Sequence, residues 1–318
     1  MIHELPLERR TLHGHFSPDL EPVLTVDPGD SVTFSVPDAA WSVVPLARDA
    51  TGRPVRKKRE TVVEVDPVLD GGHALVGPIA VRGARAGGTL SVRIDEVRVG
   101  PYGWGGAGGW STPFNDRLGV SDGEHVMLAW EIDDDRRTAR DQSGRKVSLR
   151  PFLGVVGMPP PEPAVHATAP PRRWGGNLDC AELVPGSTLF LPIPVDGGLL
   201  SLGDAHGLQA DGELSTIAME CAVERGRVTL DLVEGPELAN PRARVDGAWI
   251  TFGVDEDLDE AAAQAVDGML DLMRREHGIE RREALALASL VVDLRVTQVV
   301  NGVRGAHAVL RDDAIRFP

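Results

Sequence analysis

Short stretches of alternating apolar and polar residues, separated by clusters of Gly, Pro and Asp, run through the chain up to about residue 255. Within residues 23–36, Val32, Phe34 and Val36 share one face of a strand that follows the sequence Asp27-Pro28-Gly29-Asp30. Proline fixes φ at the first position of a tight turn, and glycine accepts the positive φ of the next. The pattern predicts strand, turn and strand, and many such strands predict β-sandwich or jelly-roll-like units.

The pattern changes after Asp255, where apolar residues recur at helical spacing. Residues 257–276 predict a helix with acids in its first turn, arginines in its last turn and Gly278 as its end. A second helix is predicted from Arg281 to about Leu290, followed by a strand around residues 291–300. We therefore expect an α+β fold, mainly β, in which these C-terminal helices pack on a sheet.

Two Gly- or Pro-rich segments bear on how the chain is organised. The segment from Met158 to Arg173 is interpreted as an ordered crossing between two β units. We accordingly expect an N-terminal β-rich domain, residues 1–157, and a C-terminal β-rich domain, residues 158–318, with the two helices and most of the candidate site. The glycine-rich segment 101–109 lacks the lysine of a phosphate-binding loop and is predicted to be a flexible loop.

Charge and cysteine content narrow the expected partners and location. The chain has 318 residues with 33 basic and 48 acidic side chains, a net charge of −15. Phosphates would be repelled, so neither nucleic acid nor an anionic membrane is expected as a partner. The one basic run, Arg53 to Arg59, is interpreted as a solvated hairpin or loop. Cys180 is interpreted as a buried structural thiol, and the absence of signal-peptide or membrane-helix stretches favours the cytoplasm.

Polar residues that a packed core does not favour are concentrated in residues 174–180 and 203–213. In an extended segment the side chains of Asp204 and His206 project from one face, which suits joint ligation of a metal. A neutral imidazole with two carboxylates and an open position for water is one form of catalytic zinc site. The alternative interpretation is a turn with Asx hydrogen bonds, because Asp and Gly are frequent in turns.

Three short segments carry a likeness to known proteins. They are Gly175-Gly176-Asn177-Leu178-Asp179, Gly203-Asp204-Ala205-His206 and Gln209-Ala210-Asp211-Gly212-Glu213. In their order and spacing they resemble the acetamidase/formamidase family, and weaker matches extend the likeness from about residue 10 to 315. The sequence departs from the family pattern at Trp174, Gly88 and Ala210, and these departures bear on substrate identity.

The resemblance implies a β-rich fold and metal-dependent hydrolysis of a short-chain aliphatic amide to a carboxylate and ammonia. On this basis Asp179, Asp204 and His206 are assigned to hold a divalent metal, with zinc as the expected ion. Such a metal would polarise the amide carbonyl and lower the pKa of a water molecule to about 7. The implied enzyme is cytoplasmic, takes a small amide as substrate and assembles as a homo-oligomer.

The remaining assignments concern catalysis and substrate binding. Glu213 is assigned as general base and then general acid, and Asn177 joins it in the catalytic set. Either Asn177 or His73 would donate a hydrogen bond to the developing oxyanion or to the substrate nitrogen. His73 and His15 are assigned to substrate binding. Two alternatives stay open: a non-catalytic β module that binds a metal or small polar ligand, and a lactam-hydrolysing variant of the same fold.

Overall fold

The protein is described by a computed structural model that covers residues 1–55 and 60–316. Within these residues one large sheet, one two-stranded sheet and three α-helices form, so the predicted class, α+β and mainly β, is confirmed. None of the described helices is long and apolar enough to span a membrane. The strands are β1 Ile2–Leu5, β2 Leu12–His13, β3 Leu24–Val26, β4 Ser31–Val36, β5 Ala47–Arg48, β6 Pro54–Val55, β7 Leu75–Val81, β8 Thr89–Ala107, β9 Val126–Ile132, β10 Thr138–Asp141, β11 Lys146–Ser148, β12 Phe152–Gly157, β13 Gly175–Asn177, β14 Thr188–Pro192, β15 Leu200–His206, β16 Glu220–Val233, β17 Arg242–Val245, β18 Ala248–Asp255, β19 Val292–Asn301 and β20 Val303–Arg311. The helices are α1 Pro113–Leu118, α2 Leu258–His277, α3 Arg281–Val291 and a short 3-10 helix, Arg9–Thr11.

The two C-terminal helices lie where the sequence predicts them. The Asp257 side chain caps α2 by accepting a hydrogen bond from the Asp259 N–H, and α2 ends at Gly278 with a φ of 65°. α3 begins three residues later and is followed at once by β19. Buried alanines and methionines of α2 pack with Ala306 and Ala308 of β20, so the helices cover the sheet formed by β18, β20 and β19.

The longest ladder of the large sheet joins β8 to β16 in antiparallel register. β16 also pairs with β4, and β8 also pairs with β14 and β9. Val32, Phe34 and Val36 of β4 are buried, as their alternation predicts. The predicted turn at 27–30 separates strands of different ladders, because β3 pairs with β7 while β4 pairs with β1 and β16.

β15 occupies the position that matters most for the candidate site. It lies between β12 and β7, and its C-terminal end also pairs with the beginning of β16. β12 pairs in turn with β13. All seven residues of β15 are buried. The ends of β13, β15 and β16 therefore meet in the interior, although they lie far apart in the sequence.

Several ladders join strands on opposite sides of residue 157. β16 pairs with β4 and β8, and β15 pairs with β7 and β12. The segment 158–173 also contacts the N-terminal part, because the His166 N–H donates to the Phe16 carbonyl. The division into domains 1–157 and 158–318 stays a prediction, and the two segments that it separates share the ladders of one sheet.

The glycine-rich segment 101–109 is not the flexible loop that its composition suggests. Its residues up to Ala107 belong to β8 and pair with β9 and β16. A Cβ on Gly105 would lie 2.8 Å from the Ala218 carbonyl oxygen, and a Cβ on Gly106 would lie 2.7 Å from that of Val126. These glycines allow neighbouring backbone to approach closely, a function that composition cannot distinguish from loop flexibility.

The basic run is only partly described. β5 and β6 pair as the separate two-stranded sheet, and Arg53 lies in the connection between them. This placement agrees with the predicted hairpin for the start of the run. Residues 56–59, which make up most of the run, lie outside the described residues.

We predict that Gly253→Ala lowers the free energy of unfolding by about 1–3 kcal/mol, the usual cost of overpacking. Gly253 lies on β18 under α2, and a Cβ there would lie 1.9 Å from the Ala261 carbonyl oxygen. Gly71→Ala is the matched control, because the nearest atom to its Cβ would be 4.0 Å away. Its effect should stay within about 0.5 kcal/mol in the same urea titration. Equal effects of the two variants would contradict this account of the helix packing.

Candidate functional site

Four acidic side chains and one histidine meet in the interior where β13, β15 and β16 converge; we call them the acidic cluster. Asp204 and His206 lie on β15, and Asp179 follows the end of β13 by two residues. Glu213 comes from the loop after β15, and Glu220 is the first residue of β16. All five residues are buried, with exposed fractions of 1–6%.

The His206 imidazole lies between the acidic side chains. Its Nε2 is 3.6 Å from Asp204 Oδ2 and 3.5 Å from Glu220 Oε2, and its Nδ1 is 3.9 Å from Asp179 Oδ1. Donor atoms of Asp179, Asp204 and His206 lie within 4.8 Å of one another, as do donor atoms of His206, Glu213 and Glu220. The structure thus brings together the three assigned metal ligands, with Glu213 beside them.

Three acidic residues of the cluster have a backbone conformation that residues other than glycine rarely adopt. The φ angle is 49° at Asp179, 54° at Asp204 and 45° at Glu213. The left-handed region costs a non-glycine residue about 1–3 kcal/mol, and it persists only where the surrounding structure enforces it. Such strain concentrates at functional sites, so its presence at three cluster residues makes this cluster the candidate site.

Gly154 of β12 has no side chain, and the carboxylates of Asp179 and Asp204 occupy the space that a side chain there would fill. A Cβ at this position would lie 2.7 Å from Asp179 Oδ1 and 2.8 Å from Asp204 Oδ2. Any side chain at residue 154 would therefore push the carboxylates apart or away from His206. The glycine is part of the architecture of the site although it brings no functional group.

Side-chain amides of neighbouring segments also hold the acidic cluster in place. Asn301, at the end of β19, donates from Nδ2 to Asp179 Oδ2 at 2.9 Å and to Glu213 Oε2 at 3.4 Å. Gln209 Nε2 donates to the backbone carbonyl of Asp179 at 2.7 Å. Asn301 itself is held by Gln298, whose Oε1 accepts its backbone N–H. These contacts hold Asp179 and Glu213 in place.

The cluster changes the acidity of its own members. Burial, together with the charge of Glu213, raises the pKa of Asp179 well above its usual value. Burial also raises the pKa of Glu213 to about 7, against the opposing effect of His206. Burial alone would lower the pKa of His206, but the carboxylates of Glu220 and Asp204 raise it well above its usual value. The surrounding carboxylates thus favour the charged form of the imidazole, whereas burial favours the neutral forms of Asp179 and Glu213.

Several polar atoms of the cluster have no hydrogen-bond partner among the described residues. They are Asp179 Oδ1, Asp204 Oδ1, Glu220 Oε2 and His206 Nδ1. Buried polar atoms are normally paired, and an unpaired buried charge is strongly destabilising. An imidazole together with carboxylates is a donor set that zinc, manganese and iron accept. The acidic cluster therefore fits a divalent cation.

A cleft of about 620 Å³ opens beside the cluster, and His15, His73 and Glu220 contribute to its lining. The His73 Nε2 lies 3.9 Å from Asp204 Oδ2. Burial alone would raise the pKa of Asp204, but the imidazoles of His73 and His206 lower it below its usual range. Both predicted substrate-binding histidines thus line the space that leads to the cluster, with His73 the nearer to Asp204.

Asn177, predicted to be catalytic, has its amide engaged elsewhere. It ends β13 and is buried, and its Nδ2 donates to the Ala169 carbonyl at 3.0 Å. This bond ties β13 to the segment 158–173. Within the described chain its Oδ1 has no hydrogen-bond partner. The catalytic role of Asn177 stays a prediction.

Sequence reasoning did not identify Glu220, Asn301 or Gly154. Glu220 carries a weak signal, since it is an acid between the apolar residues Met219 and Cys221 at the start of a strand. Asn301 and Gly154 carry none, because each reaches the cluster only through the pairing of its strand.

Cys180 follows Asp179 and is fully buried, which confirms its interpretation as a buried thiol. Burial, reinforced by the charge of Glu182, raises the pKa of Cys180 well above its usual value. A thiol of this kind is protonated at neutral pH and is a poor nucleophile. Covalent catalysis by Cys180 therefore has no support from its surroundings.

Similarity to known proteins shows the family of the chain. The sequence model described as the Acetamidase/Formamidase family matches residues 3–166 and 162–310, which together span nearly the whole chain. The chain belongs to the acetamidase/formamidase family. The resemblance carried by residues 175–179, 203–206 and 209–213 is thereby confirmed, and these segments contain every residue of the acidic cluster except Glu220.

Individual relatives are distant in sequence but close in fold. The chain is 25% identical over 289 residues to an acetamidase of Mycolicibacterium smegmatis, covering 70% of this chain and 66% of that protein. It is 24% identical over 253 residues to a formamidase of Methylophilus methylotrophus, covering 64% of this chain and 60% of that protein. The matched regions thus span less than two thirds of either relative. A crystal structure of an acetamidase from Bacillus halodurans superposes with a TM-score of 0.81 at 26% identity, covering 96% of this chain and 97% of that one.

We predict that Asn301→Asp destabilises the metal-free protein more than Asn301→Ala does. The alanine variant loses a hydrogen bond to a carboxylate, worth about 1.5–3 kcal/mol, whereas aspartate also adds a negative charge 2.9 Å from Asp179 Oδ2. Urea denaturation at neutral pH measures the free energy of unfolding of both variants. Asn240→Asp is the control, because its amide contacts Gln264 rather than the cluster. An Asn301→Asp variant as stable as Asn301→Ala would show that charge repulsion is not what Asn301 offsets.

Proposed function

We propose that the chain hydrolyses a short-chain aliphatic amide, of the formamide or acetamide type, to a carboxylate and ammonia with a divalent metal in the acidic cluster. The observation that carries the proposal is the convergence of Asp179, Asp204 and His206, each of which has one buried donor atom without a hydrogen-bond partner within the described chain. Family membership supports the reaction class, and the similar proteins are named acetamidase and formamidase.

An amide resists hydrolysis because resonance makes its carbonyl a poor electrophile and its nitrogen a poor leaving group. A metal in the cluster would supply Lewis-acid activation of the carbonyl and of water. Asp179, Asp204 and His206 are the residues proposed to hold it, and Glu220 lies close enough to assist. Zinc is the proposed ion, and the same donor set also suits manganese or iron.

Glu213 is the residue best placed to move protons. Its carboxylate lies beside His206 and Glu220, and it accepts a hydrogen bond from Asn301 Nδ2 at 3.4 Å. In the proposed reaction water adds to the carbonyl carbon while Glu213 takes one proton from the water oxygen. The same proton then passes to the nitrogen as the C–N bond breaks, so that ammonia leaves.

His73 and His15 are proposed to bind the amide from the cleft that they line. Of the two candidate donors to the oxyanion or the substrate nitrogen, His73 is better placed than Asn177. Its Nε2 faces Asp204 at 3.9 Å, whereas the Asn177 amide is already bonded to the Ala169 carbonyl. The homo-oligomeric state and the cytoplasmic location stay predictions from the sequence.

We predict amide turnover that depends on a bound metal. Ammonia release from formamide, acetamide and propionamide should be detectable, should vanish after treatment with a chelator and should return when divalent metal is restored. At a metal concentration of about 100 times Kd, binding should also add about 2.7 kcal/mol to the free energy of unfolding. His206→Ala should lose both metal and turnover. Elemental analysis establishes whether the metal has been removed, and full turnover by metal-free protein would contradict the proposal. Ring opening of a γ-lactam, with no ammonia released from the three linear amides, would favour the lactam alternative.

We further predict that Glu213→Gln lowers kcat by about 10²–10⁴ while the metal content is unchanged, because the variant keeps the shape but not the proton acceptor. Glu224→Gln is the matched control. It makes the same substitution at a half-exposed glutamate of β16 that pairs with Arg98, and it should leave kcat unchanged. Metal content and kcat should be measured on the same preparations. Undiminished turnover by Glu213→Gln would rule out its role as general base. A metal-loaded wild-type protein inactive on every amide would favour the binding module.

A further inference from the structure

A second group of side chains that could ligate a metal includes Cys180, the residue after Asp179. Cys180 Sγ lies 3.3 Å from Glu182 Oε2, and His307 Nε2 lies 3.7 Å from the same oxygen. One donor atom of each residue lies within 4.8 Å of the others. We call these three residues the thiol cluster. Cys180 and Glu182 follow β13, whereas His307 is on β20.

The separations within the thiol cluster match those of ligands around a common ion. Zinc binds cysteine sulfur at about 2.3 Å and nitrogen or oxygen at about 2.0–2.2 Å in tetrahedral geometry. In that geometry a sulfur and an oxygen ligand are about 3.5–3.7 Å apart, and a nitrogen and an oxygen ligand about 3.3–3.6 Å. The observed separations, 3.3 Å for Sγ to Oε2 and 3.7 Å for Nε2 to Oε2, differ from these ranges by about 0.1–0.2 Å. The three side chains are therefore close to the arrangement that one ion requires.

His307 provides a second, independent observation. It is fully buried, and its Nε2 has no hydrogen-bond partner in the described part of the chain although it faces Glu182. Its other ring nitrogen, Nδ1, is hydrogen-bonded to Thr297 Oγ1 at 2.8 Å. A partner on one ring nitrogen that leaves the other free is how metal-binding histidines are oriented. A buried, oriented imidazole nitrogen without a hydrogen bond points to a ligand.

The surroundings orient the carboxylate in the same way. Arg295 Nη1 donates to Glu182 Oε1 at 2.8 Å, which leaves Oε2 directed toward Cys180 and His307. Asp211 Oδ2 lies 3.9 Å from the same arginine nitrogen. The charges of Arg295 and Asp211 offset each other. When a divalent ion displaces the thiol proton of Cys180 to solvent, the ion, the thiolate and the Glu182 carboxylate leave the site close to neutral.

We propose that Cys180, Glu182 and His307 form a second metal site that takes Zn²⁺ or another divalent ion of similar softness. Water completes its coordination. The ion ties the segment after β13 to β20, and through the neighbouring residue Asp179 it supports one side of the acidic cluster. The inference does not rest on the proposed amide hydrolysis, because the two sites have no ligand in common.

Cobalt substitution of the full chain tests the site. Metal-free protein is titrated with Co²⁺ while absorption is recorded, and bound metal is counted by elemental analysis. A thiolate ligand produces sulfur-to-cobalt charge-transfer absorption in the near ultraviolet, which the acidic cluster cannot produce because it contains no cysteine. We expect this absorption to grow in with one equivalent of cobalt. Its absence from the cobalt-saturated wild-type protein overturns the proposal without any variant.

Substitutions of single residues identify which side chains bind the cobalt ion. Cys180→Ala should abolish the charge-transfer absorption and lower bound cobalt by one equivalent, and His307→Gln should weaken binding at the same site at least tenfold. Cys221→Ala is the matched control, because it removes the other buried cysteine, which is not part of either cluster, and should leave the absorption unchanged. His206→Ala should also retain it, which separates this site from the amidase site. Absorption that survives in Cys180→Ala, or that is lost in Cys221→Ala, would contradict the assignment.

Discussion

Mutual repulsion among buried carboxylates is the constraint on which the rest of this structure depends. Asp179, Asp204, Glu213 and Glu220 surround a single buried imidazole, and burial removes the water that would otherwise screen their charges. Raised pKa values at three of them relieve part of the repulsion by favouring the protonated form. Asp204 and Glu220 stay together because the sheet holds their backbone, and the Asn301 amide holds Asp179 and Glu213 beside them.

The sheet supplies the rigidity that this repulsion requires. β15 is hydrogen-bonded on both edges, and its end is joined to β16, so Asp204 and Glu220 cannot separate without breaking ladders. The left-handed backbone at Asp179 and Glu213 is strained, and it is held by pairing and by amide contacts from Asn301. Stability is given up at the site and recovered in the large hydrophobic core around it.

Features of the fold that depend on neighbouring residues could be predicted from the sequence. The alternation of β4 and the course of α2 to Gly278 are local consequences of side-chain periodicity and turn chemistry. The partners of each strand could not be predicted, because ladder formation joins residues far apart in the chain. The segment 101–109 shows the limit: its glycines predict a flexible loop, whereas in the structure they permit the close approach of paired backbone.

The same boundary divides the candidate site. Asp204 and His206 could be placed on one face because they are two residues apart on one strand, and the family likeness added Asp179 and Glu213. Glu220 could not be added, since it enters the acidic cluster only through the pairing of β15 with β16. His307 likewise meets Cys180 only because β20 passes the segment after β13. The sequence by itself determined which strands and which chemical groups exist; the tertiary structure decided which of them meet, because contact across a sheet depends on register between distant segments.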